Sequence, residues 1–173
     1  MDAMKAILER RSIRDYLPTP LERSEVEELV EAASFAPSAH NGQPWEFVFI
    51  DDREVLNALN EGRKYASMLL QAPGAFVVCA KFPEKPRLPK GQGVEYFCIQ
   101  DSAAAIQNLL LAAHAKGLGT CWIGDFDEDV LRELLNIPQE YAPVAVIAVG
   151  YPKYTPNARP RRPVNEILHW GKF

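Results

Sequence analysis

The sequence is short of the residues from which most self-contained active sites are built. Three cysteines, Cys79, Cys98 and Cys121, lie far apart among apolar neighbours. That number excludes a disulfide framework and reads as reduced, buried thiols. The three histidines, His40, His114 and His169, show no metal-ligand spacing, and neither C-x-x-C nor H-E-x-x-H occurs, so no metal site is expected. A Cys121–His nucleophilic pair stays open beside the reading of Cys121 as a structural thiol next to Trp122. No pair of carboxylates suggests glycosidase-type chemistry. Positive charge is in deficit, with 19 Lys and Arg against 23 Asp and Glu, which argues against nucleic acid or a membrane surface as partner. No apolar run approaches the roughly 20 residues that span a bilayer. The opening MDAMKAILERR carries acids and no signal-like apolar segment, so a cytoplasmic protein is expected.

What is present is enough chain for one core. A length of 173 residues, 47% of them apolar, predicts a single domain over 1–173. Apolar spacing predicts a short helix over 2–11, and a second running from a capping box at Ser24 and Glu27 to a stop before Pro37. WEFVFI (45–50) reads as a strand, and Asp52 as the N-cap of a helix through Leu59. A further helical stretch is predicted from about Arg63 to Gln71. Strands are predicted at 75–80, 120–123 and 143–150, and a helix from Asp127 to Leu135. The Pro/Gly-rich stretch 82–94 reads as a long loop of the kind that serves as a lid. The helix over about 95–116 is apolar on nearly every face, so it must be covered all round. In a chain this small a second copy is the simplest cover, and a homodimer is expected.

Six of the eleven arginines fall in two short stretches at opposite ends of the chain, ERRSIRDY (9–16) and the acid-free segment between Pro152 and Val164. If the stretches meet in space, they form a pocket for one phosphate, which arginine's planar fork suits. Otherwise they are separate solvated faces, with the first group complementing a helix C-terminus. The usual phosphate cradles are missing. In GLGTCWIG (117–124), G-x-G-x-x-G would need glycine where Trp122 stands, and Asp125 replaces the lysine of a P-loop. PSAHNGQPW (37–45) is dense in neutral donors and acceptors, fit either for a flat polar heterocycle or for an ordinary turn. A phosphate clamp and a ring-binding loop without an evident acid, base or nucleophile suggest that a cofactor carries the chemistry.

RRSIR near the start, PSAHNGQPW, DSAAAIQNLLLAAHAKGLGTCWIG, and GYP followed by an arginine-rich tail resemble, in that order, the FMN-dependent nitroreductase family in its compact form. The resemblance implies an α+β fold: a mostly antiparallel sheet flanked by helices, in a homodimer with exchanged C-terminal tails and FMN at the interface. It implies that Arg10, Arg11 and Ser12, with Arg159 and Arg161, bind the FMN phosphate. Arg14 would reach the N1–C2=O edge of the ring. Pro37, Ser38, Ala39 and Asn41 would come from the other subunit, and Trp122, Ile123 and Gly124 would lie along the ring near N5 and C4=O. The implied activity is an NAD(P)H-dependent oxidoreductase working by a ping-pong cycle, with NADH or NADPH as donor and a nitroaromatic, quinone or similar flat acceptor. The alternatives are a specialised branch of the same fold (flavin-destroying base synthesis or reductive dehalogenation) or a non-catalytic FMN-binding protein. Ring contacts around 62–68 stay unassigned, with Arg63 and Lys64 as candidates.

Overall fold

Four segments alternate or run together in apolar residues strongly enough to form one sheet: β1 (Trp45–Ile50), β2 (Gly74–Lys81), β3 (Gly119–Ile123) and β4 (Tyr141–Gly150). In the computed structural model, which describes residues 1–82 and 94–173 with the side chains of 94–96 left aside, they pair in the order β1-β2-β4-β3. Every pairing is antiparallel. The lid expected over 82–94 therefore falls, for 83–93, outside the described residues.

The central strands β2 and β4 are apolar on both sides because both faces of the sheet are covered. One face carries Val77, Cys79, Val146, Ala148, Cys121 and Ile123. It packs on α3 (Arg53–Asn60), α5 (Glu128–Leu135), the 3₁₀ turn Ser67–Leu70, and Ile13 and Tyr16 of the N-terminal arm. The other carries Phe76, Val78, Ala145, Ile147 and Val149 under α4 (Val94–Ala115), with α2 (Arg23–Ser34) beyond it. Phe76 is fully buried there, between Phe47 edge-on and the tilted ring of Phe49. A short α1 (Ala3–Glu9) precedes the arm. The three free cysteines are all buried, in line with their apolar flanks.

Asp52 and Asp127 cap α3 and α5 as expected, each accepting from two backbone amides of the first turn. Two local expectations need correction. The capping box of α2 sits two residues earlier, with Glu25 Oε2 accepting from Glu22 N at 2.9 Å, so that Ser24 lies inside the helix. The stretch 63–71 yields only the 3₁₀ turn Ser67–Leu70. Here Arg53 donates to the carbonyls of Leu69 and Ala72 after the turn, and Pro73, which has no N–H, stands where a longer helix would need a donor to Leu69 O.

One face of α4 remains open in the single chain: Ile99 is 49% exposed and Gln107 is exposed, while Ala105, Ile106 and Leu109 are fully buried. Exposed apolar side chains also stand on α1 (Met4, Ile7, Leu8) and along the tail, where Trp170 is 87% exposed. Among the described residues, no helix is long and apolar enough to cross a membrane.

Candidate functional site

The N-terminal arm holds the two arginine clusters together. After α1 the chain runs along the free edge of β3, with Ser12 bridging Thr120 in parallel and Ile13 N–H donating to Thr120 O at 2.9 Å. It then turns onto the beginning of the tail. Tyr16 bridges Pro152, Leu17 N–H donates to Tyr151 O at 2.8 Å, and Lys153 N–H donates to Asp15 O at 3.0 Å. Close approach to β3 is possible because residue 119 is glycine: a Cβ there would stand 2.6 Å from Ile13 Cγ1. Gly117 has a different task. Its φ of +81° ends α4, and Leu118 N–H reaches back to Ala113 O at 2.8 Å. Gly117 and Gly119 of GLGTCWIG therefore serve a helix end and a tight contact.

The outcome is a cavity of about 210 Å³ lined by Arg10, Arg11, Ser12 and Arg14 from the arm and by Asn157, Arg159 and Arg161 from the tail. Both arginine stretches meet there, in one chain. Among the described residues, ion pairs involve Arg23, Arg63, Lys116, Arg132 and Arg162, and none involves the five arginines of this cavity. Burial, then the like charges of Arg11 and Arg161, push the Arg10 guanidinium below its ordinary pKa. Such crowding of cations without a carboxylate is unfavourable on its own and is relieved by an anion. Arg11 has a second role, since its Nη1 donates to Leu8 O (2.7 Å) and Arg10 O (2.9 Å) and so closes the end of α1.

Arg14 also lines an adjoining cavity of about 280 Å³, with Trp122, Ile123 and Gly124 of β3 and the residue that follows it. Lys64, Tyr65, Ser67 and Met68 form its opposite wall. Of these four, the sequence offered Lys64 as an unassigned candidate and gave no signal for Tyr65, Ser67 or Met68. They arrive because Tyr65 N–H donates to Asp125 Oδ2 at 3.0 Å and Arg63 lies 3.8 Å from Asp127, tying the 61–68 segment to the loop after β3. Arg63 is turned into this brace, leaving Lys64 as the cation this segment brings to the cavity, beside Arg14. Cys121 lines it as well, but burial first pushes its thiol up, against the opposing pull of Arg14 and Arg10. A protonated thiol is a poor nucleophile, which favours the structural reading.

Pro37, Ser38, Ala39 and Asn41 line neither cavity. Their loop leads into β1, one edge of the sheet, whereas the cavities lie beside β3, the other edge. The loop is nevertheless built to one shape. His40, Asn41 and Gln43 all have positive φ, held by Ala39 N–H donating to Asp101 Oδ2 and Gln43 N–H to Ser38 Oγ, each at 3.0 Å. Among the described residues, no group of three or more His, Cys, Asp or Glu is placed to hold a metal ion.

Comparison with known proteins follows the same lines. The family model described as the nitroreductase family matches residues 7–62 and 56–151. A protein of Archaeoglobus fulgidus, provisionally named an NADH dehydrogenase/NAD(P)H nitroreductase, is 39% identical over 156 residues, covering 88% of this chain and 86% of its own. The FMN reductase (NADPH) of Bacillus subtilis is 28% identical over 185 residues, 99% of this chain and 74% of its own. A crystal structure of a Parabacteroides distasonis protein, with the same provisional name as the first, superposes with a TM-score of 0.87 at 31% identity, over 99% of this chain and 98% of that one.

Proposed function

This chain belongs to the nitroreductase family, and we propose that it is an FMN-dependent oxidoreductase that takes electrons from NADH or NADPH and delivers them to a nitroaromatic, a quinone or another flat acceptor. The observation that carries the reading is the pair of adjoining cavities joined by Arg14, one lined by five arginines without a carboxylate and the other by a strand edge. A phosphate group fits the first by charge and by the arginine fork. A flat ring fits beside Trp122–Gly124 in the second. The names of relatives that act with NAD(P)H and on FMN support the same ligands here.

In this reading Arg10, Arg11, Ser12, Arg159 and Arg161 hold the phosphate. FMN, when bound, supplies the redox chemistry, accepting a hydride from the nicotinamide and passing electrons to the acceptor. Arg14, which lines both cavities, would set a fixed cation beside the ring and stabilise the negative charge that gathers there on reduction. The backbone of Trp122, Ile123 and Gly124 aligns the ring, and Lys64, Tyr65, Ser67 and Met68 wall the space before it. Donor and acceptor use that space in turn, so the kinetics are ping-pong.

The site is completed by a second copy. Pro37, Ser38, Ala39 and Asn41 stand at the far edge of their own sheet and reach a cavity only in a homodimer. The open face of α4 and the exposed apolar tail supply the surface for such a dimer, with the tails exchanged. A cytoplasmic location agrees with the ligands proposed.

The reading is tested by titrating the protein with FMN and with riboflavin while its mass is measured by light scattering. A dimer that binds FMN far more tightly than riboflavin is expected. A monomer that ignores FMN would remove both the cofactor and the shared site.

A further inference from the structure

On the α4 side of the clamp lies another cavity of about 210 Å³, lined by Arg10, Arg11, His114 and Thr120 among other residues. His114 stands in the last turn of α4, and its Nε2 is buried without a hydrogen-bond partner among the described residues. The charged groups that face the imidazole are Lys5 and Glu9 from α1, and Arg10 and Arg11 from the arm. Met1, which also carries the α-amino group, lines the cavity beside α1, while β3 and the tail contribute the uncharged Thr120, Pro152 and Thr155. Cations thus outnumber the single carboxylate around the ring. Burial first, then Arg10, Arg11 and Lys5 against the opposing pull of Glu9, hold His114 below the ordinary histidine range.

We propose that His114 is the proton-carrying member of the phosphate site: a phosphate monoester bound by Arg10 and Arg11 draws one proton from water onto the unprotonated ring nitrogen of His114, and the imidazolium strengthens the field that holds the anion. The inference rests on the phosphate reading of the clamp. The charge of Arg10 and Arg11 is what opposes a proton on His114, and a bound dianion cancels it. Linkage is reciprocal, so protonated His114 tightens phosphate binding by the same factor by which phosphate favours the proton. No bond to phosphorus is made or broken.

The test follows the His114 imidazole by NMR in flavin-free protein with and without inorganic phosphate, the signal being assigned by its loss in His114→Gln. In parallel, FMN and riboflavin dissociation constants are measured for both proteins from about pH 6.5 to 8.5, where the phosphate stays mostly dianionic. Phosphate is expected to raise the His114 midpoint. A rise of about one pH unit corresponds to roughly tenfold tighter FMN binding well below the phosphate-free midpoint. Because burial and the neighbouring cations hold that midpoint low, this window shows the upper part of that gain as a progressive tightening toward its acid end. Riboflavin binding and the His114→Gln protein should lack this dependence. A midpoint that phosphate leaves in place, or an equal pH dependence in His114→Gln, overturns the inference while leaving the FMN reading intact. Protein that shows the phosphate-linked midpoint yet ignores FMN retains the inference and defeats the FMN reading.

Discussion

The amide of Lys153 donates to the carbonyl of Asp15 at 3.0 Å, beside the Tyr16–Pro152 bridge. Through these backbone contacts the first turn of the arm and the first turn of the tail become one element, and arginines from opposite ends of the chain face the same cavity. The clamp is held open by hydrogen bonds of the main chain, which is why several like charges can be kept together before any anion arrives.

Arg10→Ala and Arg161→Ala should each weaken FMN binding while barely affecting riboflavin. A charge-assisted hydrogen bond contributes about 1.5–3 kcal/mol, or roughly ten- to a hundredfold in the dissociation constant. Fluorescence titration of the free flavins reads the effect, and an unchanged FMN constant in both variants contradicts the clamp.

Gly119→Ala should disturb the arm without touching a ligand. The added methyl would meet Ile13 Cγ1 at 2.6 Å and its Cβ at 2.8 Å, and the neighbouring backbone is pinned by the Ser12–Thr120 bridge. Overpacking of this kind destabilises by about 1–3 kcal/mol. Calorimetry should show a Tm several degrees lower together with weaker FMN retention. Loss of stability with full retention would mean that the arm does not set the clamp.

Arg14→Ala should alter the potential of the bound flavin more than its affinity. Loss of a fixed cation beside the reduced ring disfavours reduction, and 1.4 kcal/mol corresponds to about 30 mV for two electrons. The midpoint should therefore fall by tens of millivolts in a dye-equilibration titration. An unaltered potential would take Arg14 away from the ring.

Cys121→Ala should turn over at close to the parent rate. Its thiol is pushed up by burial, and Cys79, pushed up to about 11 for the same reason, should be equally inert near neutral pH. A maleimide assay near neutral pH should find slow labelling at both positions, since thiolate is the reactive form. A large loss of turnover in Cys121→Ala would restore the nucleophilic alternative.

Much of this was legible in the sequence where one residue decides its own surroundings. Asp52 and Asp127 announce their helices because a short carboxylate before an amphipathic stretch satisfies free amides. Trp45–Ile50 reads as a strand because its residues suit a half-buried pleated face. Local chemistry misleads where a distant partner takes over. The 63–71 stretch has helical composition, yet only the short turn Ser67–Leu70 forms before Pro73, and its end is tied to Arg53 of α3 through the carbonyls of Leu69 and Ala72. Ser24 and Glu27 have capping-box spacing, yet Glu22 and Glu25 fill the same role two residues earlier, at the entry to α2.

The site divides in the same way. Arg10, Arg11, Arg14, Arg159 and Arg161 stand out by clustering, and their meeting confirms that they are not separate solvated faces. Lys64 stood only as an unassigned candidate beside Arg63, and Tyr65, Ser67 and Met68 could not be picked out, because the segment is placed by Asp125 and Asp127 after β3 rather than by any motif of its own. The loop 37–41 shows the limit most clearly. Its residues are legible and its strained shape is held by Asp101, but within one chain it lines neither cavity, and only the proposed homodimer gives it a place at the site.

The central claim is most directly tested by the visible spectrum of the FMN-loaded protein, recorded without oxygen before and after adding NADH and then NADPH. Bleaching of the flavin absorption by one of the donors, with recovery on adding a quinone or nitroaromatic, is the predicted result. A bound flavin that neither donor bleaches would contradict the oxidoreductase reading and leave an FMN-binding protein without this activity.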